Sequence, residues 1–230
     1  MQQTDKNWIS ELGNVKGRGF GLYRSFDIDL SNKVVLDYGA AHGILKNELP
    51  ESATYFGVDC IAEYANYEKN IKHYNIQHPT YNPEGVSDLD IRIVFPEQKF
   101  DVIIASSVFN HHTYDSMVSC IDNLKTVLND DGFILFSIWD KAAIVKWHAQ
   151  LKENNSTDID WVNENIMNHA YWYKSEGTQY IDYDKDLQNT PDDNLMTFYN
   201  TDWLIGEKGY SIHRNQQDGI YRNIILKETL

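Results

Sequence analysis

The segment KVVLDYGAAHG, from Lys33 to Gly43, joins an apolar run to an aspartate, Asp37, and then to small residues. An apolar run without alternation is typical of a strand that is covered on both faces of its sheet. Glycine lets a ligand approach the backbone closely, and a helix that begins after Gly43 would offer free amides at its start. The segment therefore predicts a buried strand that ends in a ligand-binding loop.

Strand-like and helix-like segments alternate from residue 33 to residue 140. The predicted strands are 33–38, 54–60, an irregular one around 79–86, 100–109 and 132–140. The predicted helices are 43–50, 61–75 and 114–130, the last capped by Gly132. This alternation indicates βαβ units and a mostly parallel sheet, in which ligands bind at the carboxyl ends of the strands.

Two cofactors suit an acid at a strand end that small residues follow: a dinucleotide and S-adenosylmethionine. The dinucleotide fingerprint G-x-G-x-x-G matches poorly, because Ala41 and Ile44 stand where its second and third glycines would be. VVLDYGAAHG instead resembles the D-x-G-x-G-x-G signature of class I S-adenosylmethionine-dependent methyltransferases. Asp37, Gly39 and Gly43 match that signature, and Ala41 replaces its middle glycine.

The resemblance extends over roughly residues 18–140. YFGVDC is similar to the family's second strand, whose terminal acid holds the ribose hydroxyls, which implies this role for Asp59. PEGVSDLDI is similar to the loop after the third strand, which implies adenine contacts for Asp88 and Leu89. The resemblance thus implies that S-adenosylmethionine is the cofactor.

The segment after the predicted fourth strand carries the candidate catalytic residues. SVFNHH is similar to the S-x-F-x-H-L loop of relatives, so that His111 matches the family's histidine and His112 follows it. A histidine titrates in the range that suits removal of a proton from a hydroxyl or an amine, so both are candidate general bases. A supporting role is the alternative for His111. Ser106 is interpreted either as a contact to the methionine part of the cofactor or as a turn serine.

The family resemblance implies an α/β fold, a Rossmann-like three-layer sandwich with a mostly parallel seven-stranded sheet. A C-terminal antiparallel hairpin would close this sheet, since YSIHRN and IYRNIILKE flank a turn at 216–219. We expect one domain over residues 1–230. Its parts are an N-terminal lead-in (1–32), a cofactor-binding core (33–140), an inserted helical and aromatic lid (141–197) and a closing helix and hairpin (198–230).

Composition restricts the classes of partner. The chain is 42% hydrophobic with a formal net charge of −14, which predicts a globular protein that repels nucleic acid. No apolar run predicts a membrane span, no secretory signal pattern opens the sequence, and Cys60 and Cys120 form no metal-type pair. The acidic segment 182–194 departs from a calcium loop and is interpreted as a solvated loop. We expect a cytoplasmic protein without a bound metal.

The family resemblance implies a methyltransferase of the EC 2.1.1 type. The acidic surface, the small size and the aromatic insertion favour a small molecule or a sugar precursor as the acceptor. Oxygen is the first candidate for the accepting atom and nitrogen is the second. We expect a monomer or a homodimer. The alternatives are a degenerate protein that binds the cofactor without turnover, a methyltransferase for protein or tRNA, and a nucleotide-dependent oxidoreductase. ASSVFNHH lacks an N-P-P-Y-type signature, which counts against methylation of the amino groups of bases or of glutamine.

Overall fold

A computed structural model describes residues 26–66, 70–78, 81–112, 114–156, 159–160, 170–173, 180–181, 196–199, 212–218 and 221–227. For residues 66 and 111, residues 114–115 and 141–143, and the described residues between 170 and 222, only the backbone is described. The predicted lead-in therefore lies almost entirely outside the described residues, as do the acidic segment 182–194 and most of the predicted closing helix.

The described strands belong to one mixed sheet. They are β1 (Val34–Tyr38), β2 (Thr54–Asp59), β3 (Ile71–His73), β4 (Phe100–Ala105), β5 (Leu128–Asp140), β6 (Ala170–Tyr173), β7 (Tyr180–Ile181), β8 (Met196–Tyr199), β9 (Ile212–Asp218) and β10 (Tyr221–Lys227). The first five lie in the order β3-β2-β1-β4-β5 and pair in parallel. β10 is antiparallel to both β5 and β9.

The parallel strands are buried on both faces, as their continuous apolar runs predict. Leu36 of β1 belongs to one core cluster and Val35 belongs to the other, and neither side chain is exposed. Helix α1 (Tyr114–Lys125) covers the first face through Met117 and Ile121, which recur at helical spacing. The carboxyl ends of β1, β2 and β4 consequently emerge side by side at one edge of a rigid sheet.

Two of the predicted helices are not α-helices. The segment 43–50 forms a 3-10 helix, Ile44–Glu48, which is capped by Gly43 and followed by extended Leu49. Pro50 favours this extended backbone at the residue before it, so the helix cannot lengthen. In the segment 61–75 the structure contains a 3-10 helix, Tyr64–Asn66, and then β3, which pairs in parallel with β2. A helix therefore does lie between Gly43 and Pro50, but it is a 3-10 helix. The prediction of a helix over 61–75 was wrong at Ile71–His73, which form a strand.

The third strand consequently lies earlier than the sequence predicts. The expected strand around 79–86 is instead part of the connection that follows β3, with isolated bridges from Ile76 to Val86 and from His78 to Asn82. We call residues 74–78 and 81–90 the β3-exit segment. Backbone hydrogen bonds between its two arms, such as Gln77 N–H to the Val86 carbonyl at 2.9 Å, hold it against the sheet.

Helix α1 ends before the predicted boundary, and β5 begins at Leu128. Gly132 is therefore not the cap of the helix but a residue inside β5. The β4–β5 register shifts beside it, between Phe100 and Val102, and a Cβ at Gly132 would lie 2.9 Å from the Asn129 carbonyl oxygen. A backbone approach this close explains why glycine occupies this position.

Between β5 and β9 the described residues include helix α2 (Lys141–Glu153) and the three short strands β6, β7 and β8. β8 pairs in parallel with Trp139 and Asp140 at the very end of β5, and β6 and β7 continue from β8. These elements extend the sheet next to the edge where β4 and β5 end. Within the described ranges, no helix has the length and apolar character needed to cross a membrane.

Candidate functional site

Asp37 occupies the carboxyl end of β1, where it is only 6% exposed. Tyr55, on the neighbouring strand β2, donates a hydrogen bond from Oη to Asp37 Oδ2 at 3.0 Å. Burial raises the pKa of Asp37 to about 7, against the opposing effect of the Tyr55 hydrogen bond, and the nearby Asp59 charge raises it further. A carboxylate in this state gains stability from any cation placed beside it.

Asp59 ends β2 and is also buried. Its Oδ2 accepts a hydrogen bond from the Ala41 N–H at 2.9 Å, and its Oδ1 accepts one from the Ile61 N–H at 2.9 Å. Burial raises the pKa of Asp59, and these amide hydrogen bonds oppose the shift. Asp59 therefore ties the loop after β1 to the loop after β2.

The loop from Gly39 to Gly43, which we call the glycine loop, has a left-handed backbone at three positions. The φ angles are +77° at Gly39, +47° at Ala41 and +67° at Gly43. The Gly39 and Ala40 N–H groups both donate to the Val58 carbonyl at 2.9 Å. A left-handed conformation is easy for glycine but costs about 1 kcal/mol for alanine. The replacement of the middle glycine by Ala41 therefore introduces local strain.

The segment that leaves β4 packs directly on the glycine loop. A Cβ added to Gly39 would lie 2.5 Å from Val108 Cγ2, so glycine is required for the two loops to meet. Ser107 has a φ of +57° and donates from its N–H to Ser137 Oγ of β5 at 2.8 Å. Ser106 is half-buried, and its Oγ is shielded from solvent without a hydrogen bond in the described structure.

A 3-10 turn, Phe109–His111, follows this segment. The backbone of His111 lies in the turn, but its side chain lies outside the described residues. Asn110 lies in the same turn and is completely buried. Asn110 is not among the residues predicted from the sequence, and its one sequence signal is its place next to His111 in the matched motif.

His112 is 4% exposed and lies at the wall of a cavity of about 550 Å³ between the β3-exit segment and helix α1. Its Nδ1 is 2.9 Å from Ser116 Oγ, and its ring contacts the His78 ring edge-on, with centroids 4.8 Å apart. Buried aromatic contacts of this kind fix the orientation of an imidazole ring.

Asp88 lines the same cavity as His112. It is exposed, has a φ of +52°, and accepts a hydrogen bond from Ser119 Oγ of α1 at 3.3 Å. Leu89 is half-buried against the core, and its carbonyl accepts hydrogen bonds from Tyr74 Oη and from Asn123 Nδ2. This anchor holds the β3-exit segment against α1 and keeps Asp88 at the mouth of the cavity.

The fold thus gathers most of the predicted residues into two neighbouring groups. One group lies at the ends of β1 and β2 and consists of Asp37, Gly39, Ala41, Gly43 and Asp59. The other contains Asp88 and His112 and lines the cavity. Within the described ranges, no group of three or more histidine, cysteine, aspartate or glutamate side chains could hold a metal ion.

A family model described as a methyltransferase domain matches residues 21–181 of this chain. The structure of human N-acetylserotonin methyltransferase in complex with S-adenosylmethionine is similar, with 14% identity and a TM-score of 0.53, over 93% of this chain and 52% of that chain. A TehB-like S-adenosylmethionine-dependent methyltransferase from Corynebacterium glutamicum is similar with 12% identity and a TM-score of 0.51, over 98% and 96%.

The pyocyanin biosynthetic protein PhzM is similar with 11% identity and a TM-score of 0.49, over 92% of this chain and 54% of that chain. This chain spans about half the length of PhzM and of the human enzyme. No curated protein sequence matches it significantly.

The family match covers more than half of the chain, and the mixed sheet with helices is the Rossmann-like fold that the sequence implied. These findings confirm the predicted family and cofactor. The chain belongs to the class I S-adenosylmethionine-dependent methyltransferase family.

Proposed function

We propose that this protein transfers the methyl group of S-adenosylmethionine to a small molecule or a sugar precursor. Oxygen is our first candidate for the accepting atom and nitrogen is our second. The observation that carries the proposal is the pair of buried carboxyl groups, Asp37 and Asp59, at the ends of neighbouring parallel strands, joined through the glycine loop.

The residues at the strand ends suit the sugar and the charge of the cofactor. Two vicinal hydroxyls can donate to the two oxygens of Asp59, and this would replace the hydrogen bond from the Ala41 N–H. Asp37 would gain a favourable interaction with the cationic part of the cofactor, because burial leaves its charge poorly solvated. Gly39 lets the loop that leaves β4 pack against the glycine loop through Val108.

The cavity between the β3-exit segment and α1 suits the adenine ring. We propose that Asp88 accepts a hydrogen bond from the exocyclic amino group and that His112 forms part of the cavity wall. Ser119, which already holds Asp88, would fix the carboxylate in place. Leu89 would then act through its anchored carbonyl, which positions Asp88.

Bound S-adenosylmethionine supplies a methyl group that the positive sulfur has already activated. The protein therefore needs to align the two reactants and to exclude water. An acceptor hydroxyl must also lose its proton. His112 lines the cavity that we assign to adenine, which favours a cofactor contact over proton removal. His111 is then the better of the two candidates for the general base.

The charge and the architecture of the protein favour a small acceptor. A net charge of −14 opposes binding of a phosphate backbone, so we propose a partner other than nucleic acid. We infer that residues 141–197, which include α2 and β6–β8, cover the edge of the sheet where the acceptor binds.

We also infer a seven-stranded core in the order β3-β2-β1-β4-β5-β10-β9, which the pairing of β10 with β5 supports. We propose that the chain forms a single domain and acts in the cytoplasm, as a monomer or a homodimer.

Calorimetric titration of the full chain with S-adenosylmethionine, S-adenosylhomocysteine and NAD tests the cofactor site. Micromolar binding of both sulfur compounds without an NAD signal is expected. Asp59→Asn should weaken that binding by about tenfold or more, because a charged acceptor for two hydroxyls is lost. If neither sulfur compound binds to folded protein, the proposed function is wrong.

Ser119→Phe tests the adenine assignment, because the added ring would occupy the cavity beside Asp88. We expect it to weaken S-adenosylhomocysteine binding without a large loss of thermal stability. Asp122→Phe is the matched control, since it places the same ring on the same helix at a residue whose side chain is 59% exposed. If the two variants bind S-adenosylhomocysteine with equal affinity, the assignment of adenine to this cavity is wrong.

A degenerate protein that binds the cofactor without turnover is the second candidate, and the strained Ala41 favours it. Release of S-adenosylhomocysteine during incubation with a panel of hydroxylated and amino-bearing metabolites distinguishes the two. Turnover with any acceptor would establish that the protein is an active methyltransferase. Tight binding without turnover across the panel would support the degenerate form.

A further inference from the structure

Tyr55 is a buried tyrosine on β2 to which the proposed function gives no role. Its side chain is 7% exposed and belongs to the same core cluster as Val35 of β1. Tyr55 lies two residues before Gly57, which pairs with Asp37 across the two strands. Because side chains alternate along a strand, Tyr55 and Gly57 lie on the same face of the sheet. The Tyr55 hydroxyl extends past Gly57 and donates a hydrogen bond to Asp37 Oδ2 at 3.0 Å.

Gly57 leaves the space that this hydrogen bond requires. Its backbone is not left-handed, so the conformation of the chain does not explain the glycine. A Cβ at this position would lie 2.9 Å from Tyr55 Oη, and also 2.9 Å from Ala40 Cβ and from Ile71 Cγ1. Each of these distances is shorter than a van der Waals contact. The absence of a side chain at Gly57 therefore gives the Tyr55 hydroxyl room beside Asp37.

The two buried carboxyl groups of the site are held in different ways. Asp59 accepts hydrogen bonds from two backbone amides, the Ala41 N–H and the Ile61 N–H. In the described part of the chain, the hydrogen-bond donor to Asp37 is the Tyr55 side chain. A hydrogen bond to an ionised acceptor stabilises the charged form, so the Tyr55 hydroxyl lowers the pKa of Asp37 against the effect of burial. The charge and the orientation of Asp37 therefore depend on one side chain from the neighbouring strand.

We infer that Tyr55 is a positioning residue for the cofactor: its hydroxyl holds Oδ2 of Asp37 and thereby leaves Oδ1 for the cationic part of S-adenosylmethionine. This inference rests on the proposed function and adds a residue that acts through Asp37. A carboxyl group that rotates, or that keeps its proton, is a weaker partner for a cation. Phenylalanine at position 55 would fill the same space in the core but could not hold the carboxylate.

The titratable groups around Asp37 determine what a pH profile reports. Among the described residues, Tyr55 and Asp59 act on the pKa of Asp37, and His42 of the glycine loop acts on that of Asp59. Since the pKa of Asp37 is about 7, its ionisation near that pH should strengthen the binding of a cation. Ionisation of Asp59 affects the ribose, which every adenosyl compound carries. A comparison of a cationic compound with an uncharged one therefore separates the two acids.

Calorimetry of Tyr55→Phe in the full chain, between about pH 5.5 and about pH 8.5, tests the inference with two ligands. S-adenosylmethionine is cationic, whereas 5′-methylthioadenosine keeps adenine, ribose and sulfur without a positive charge. The rise in S-adenosylmethionine affinity with pH should move to higher pH by about one unit, which lowers the affinity by about threefold or more at about pH 7.5. The affinity for 5′-methylthioadenosine should stay within about twofold of the wild-type value. The titration of the ligand itself is common to all variants and cancels.

Two further variants separate positioning from packing. Tyr38→Phe is the matched control, because it removes the hydroxyl of another buried tyrosine, which accepts a hydrogen bond from Cys120 in the other core cluster. It should leave the pH profile of S-adenosylmethionine binding unchanged. In the Asp37→Asn background, Tyr55→Phe should cause no further loss of S-adenosylmethionine affinity, because its effect passes through Asp37.

Thermal unfolding of the ligand-free protein provides a readout that needs no cofactor. The hydrogen bond stabilises the ionised form of Asp37, so Tyr55→Phe should lower the unfolding temperature more at high pH than at low pH. The difference between about pH 8.5 and about pH 5.5 should be about 3 °C. If Tyr55→Phe does not stay folded at about pH 8.5, the comparison of the two ligands at about pH 6.5 carries the same expectation.

Equal losses for the two ligands, an unchanged pH profile in Tyr55→Phe, or the same loss in the Asp37→Asn background would overturn the inference while leaving the proposed function in place. If the wild-type protein binds neither compound, the proposed function fails and the inference fails with it.

Discussion

Asp37 is a carboxyl group held away from water at the end of β1, beside a second acid and the hydroxyl of Tyr55. Its pKa in the folded protein is about 7, raised chiefly by burial above the ordinary value of 3.8. The folded state therefore holds this proton more tightly than the unfolded chain. Ionisation of Asp37 lowers stability progressively as the pH rises from about 4 to about 7, and the full penalty is present above that range.

Asp37→Asn should consequently stabilise the ligand-free protein at pH 8. The amide oxygen can still accept the hydrogen bond from Tyr55, while the cost of the buried charge disappears. The gain in the free energy of unfolding is at most about 4 kcal/mol at pH 8 and shrinks towards zero near pH 4. Urea unfolding of both proteins at several pH values measures it.

The same variant should lose affinity for S-adenosylmethionine, because the site no longer offers a charge to the cation. A gain in stability that did not depend on pH would show that the substitution acts through packing. A loss of stability at pH 8 would contradict the elevated pKa.

Ala41 is the residue at which this chain departs from the family signature. Its φ of +47° is unfavourable for a residue with a Cβ. Ala41→Gly should raise the free energy of unfolding by about 1 kcal/mol, because relief of this strain exceeds the added freedom of the unfolded chain. Chemical denaturation measures the change. Ala40→Gly, one residue earlier, is the control and should destabilise, because it removes a buried methyl group from the core.

At the scale of elements, the site depends on the contact between the loops that leave β1 and β4. Gly39→Ala introduces a Cβ at 2.5 Å from Val108 Cγ2 and places it on a residue with a φ of +77°. Overpacking and left-handed strain each cost about 1–2 kcal/mol, so we expect a loss of about 2–4 kcal/mol in unfolding free energy. Cofactor affinity should fall with it.

A double substitution separates the two causes of this loss. Val108→Ala in the Gly39→Ala background removes the clash but not the backbone strain, so it should restore part of the stability. Val108→Ala alone should destabilise, because it removes partly buried methyl groups that pack against the core. If the double variant is no more stable than Gly39→Ala alone, the clash is not the cause of the loss.

The strands were predicted from the sequence more reliably than the helices. β1, β2 and β4 lie close to their predicted positions, because an apolar run in a parallel sheet needs no particular register to be recognised. The segments 43–50 and 61–75 have a helical composition, yet they contain only short 3-10 helices among their described residues. In the first, the 3-10 helix begins after the left-handed Gly43, and Pro50 ends it. In the second, Ile71 is buried and pairs with β2 as part of β3.

At the scale of the whole molecule, a net charge of −14 should distinguish the cofactor from its product. S-adenosylmethionine carries one more positive charge than S-adenosylhomocysteine, so the field of the protein favours the substrate form. Raising NaCl from about 20 mM to about 500 mM should lower the affinity for S-adenosylmethionine by about threefold or more. The affinity for S-adenosylhomocysteine should change by less than about twofold. Calorimetry at the two salt concentrations measures both. An equal response of the two ligands would mean that salt acts on the protein and not on the charge of the ligand.

The sequence by itself determined the family, the cofactor and the places of the two acids, Asp37 and Asp59. These follow from short motifs in which strand, loop and chemistry are neighbours in the chain. Asp88 and His112 line one cavity, and this shared cavity depends on how the β3-exit segment packs against α1.

Only the tertiary structure decided the position of β3, the left-handed strain at Ala41 and the contact of Val108 with Gly39. Only it revealed that Asn110 is buried without a hydrogen bond. Strand pairing, burial and hydrogen bonding depend on which distant residues meet, and a linear pattern does not record that information.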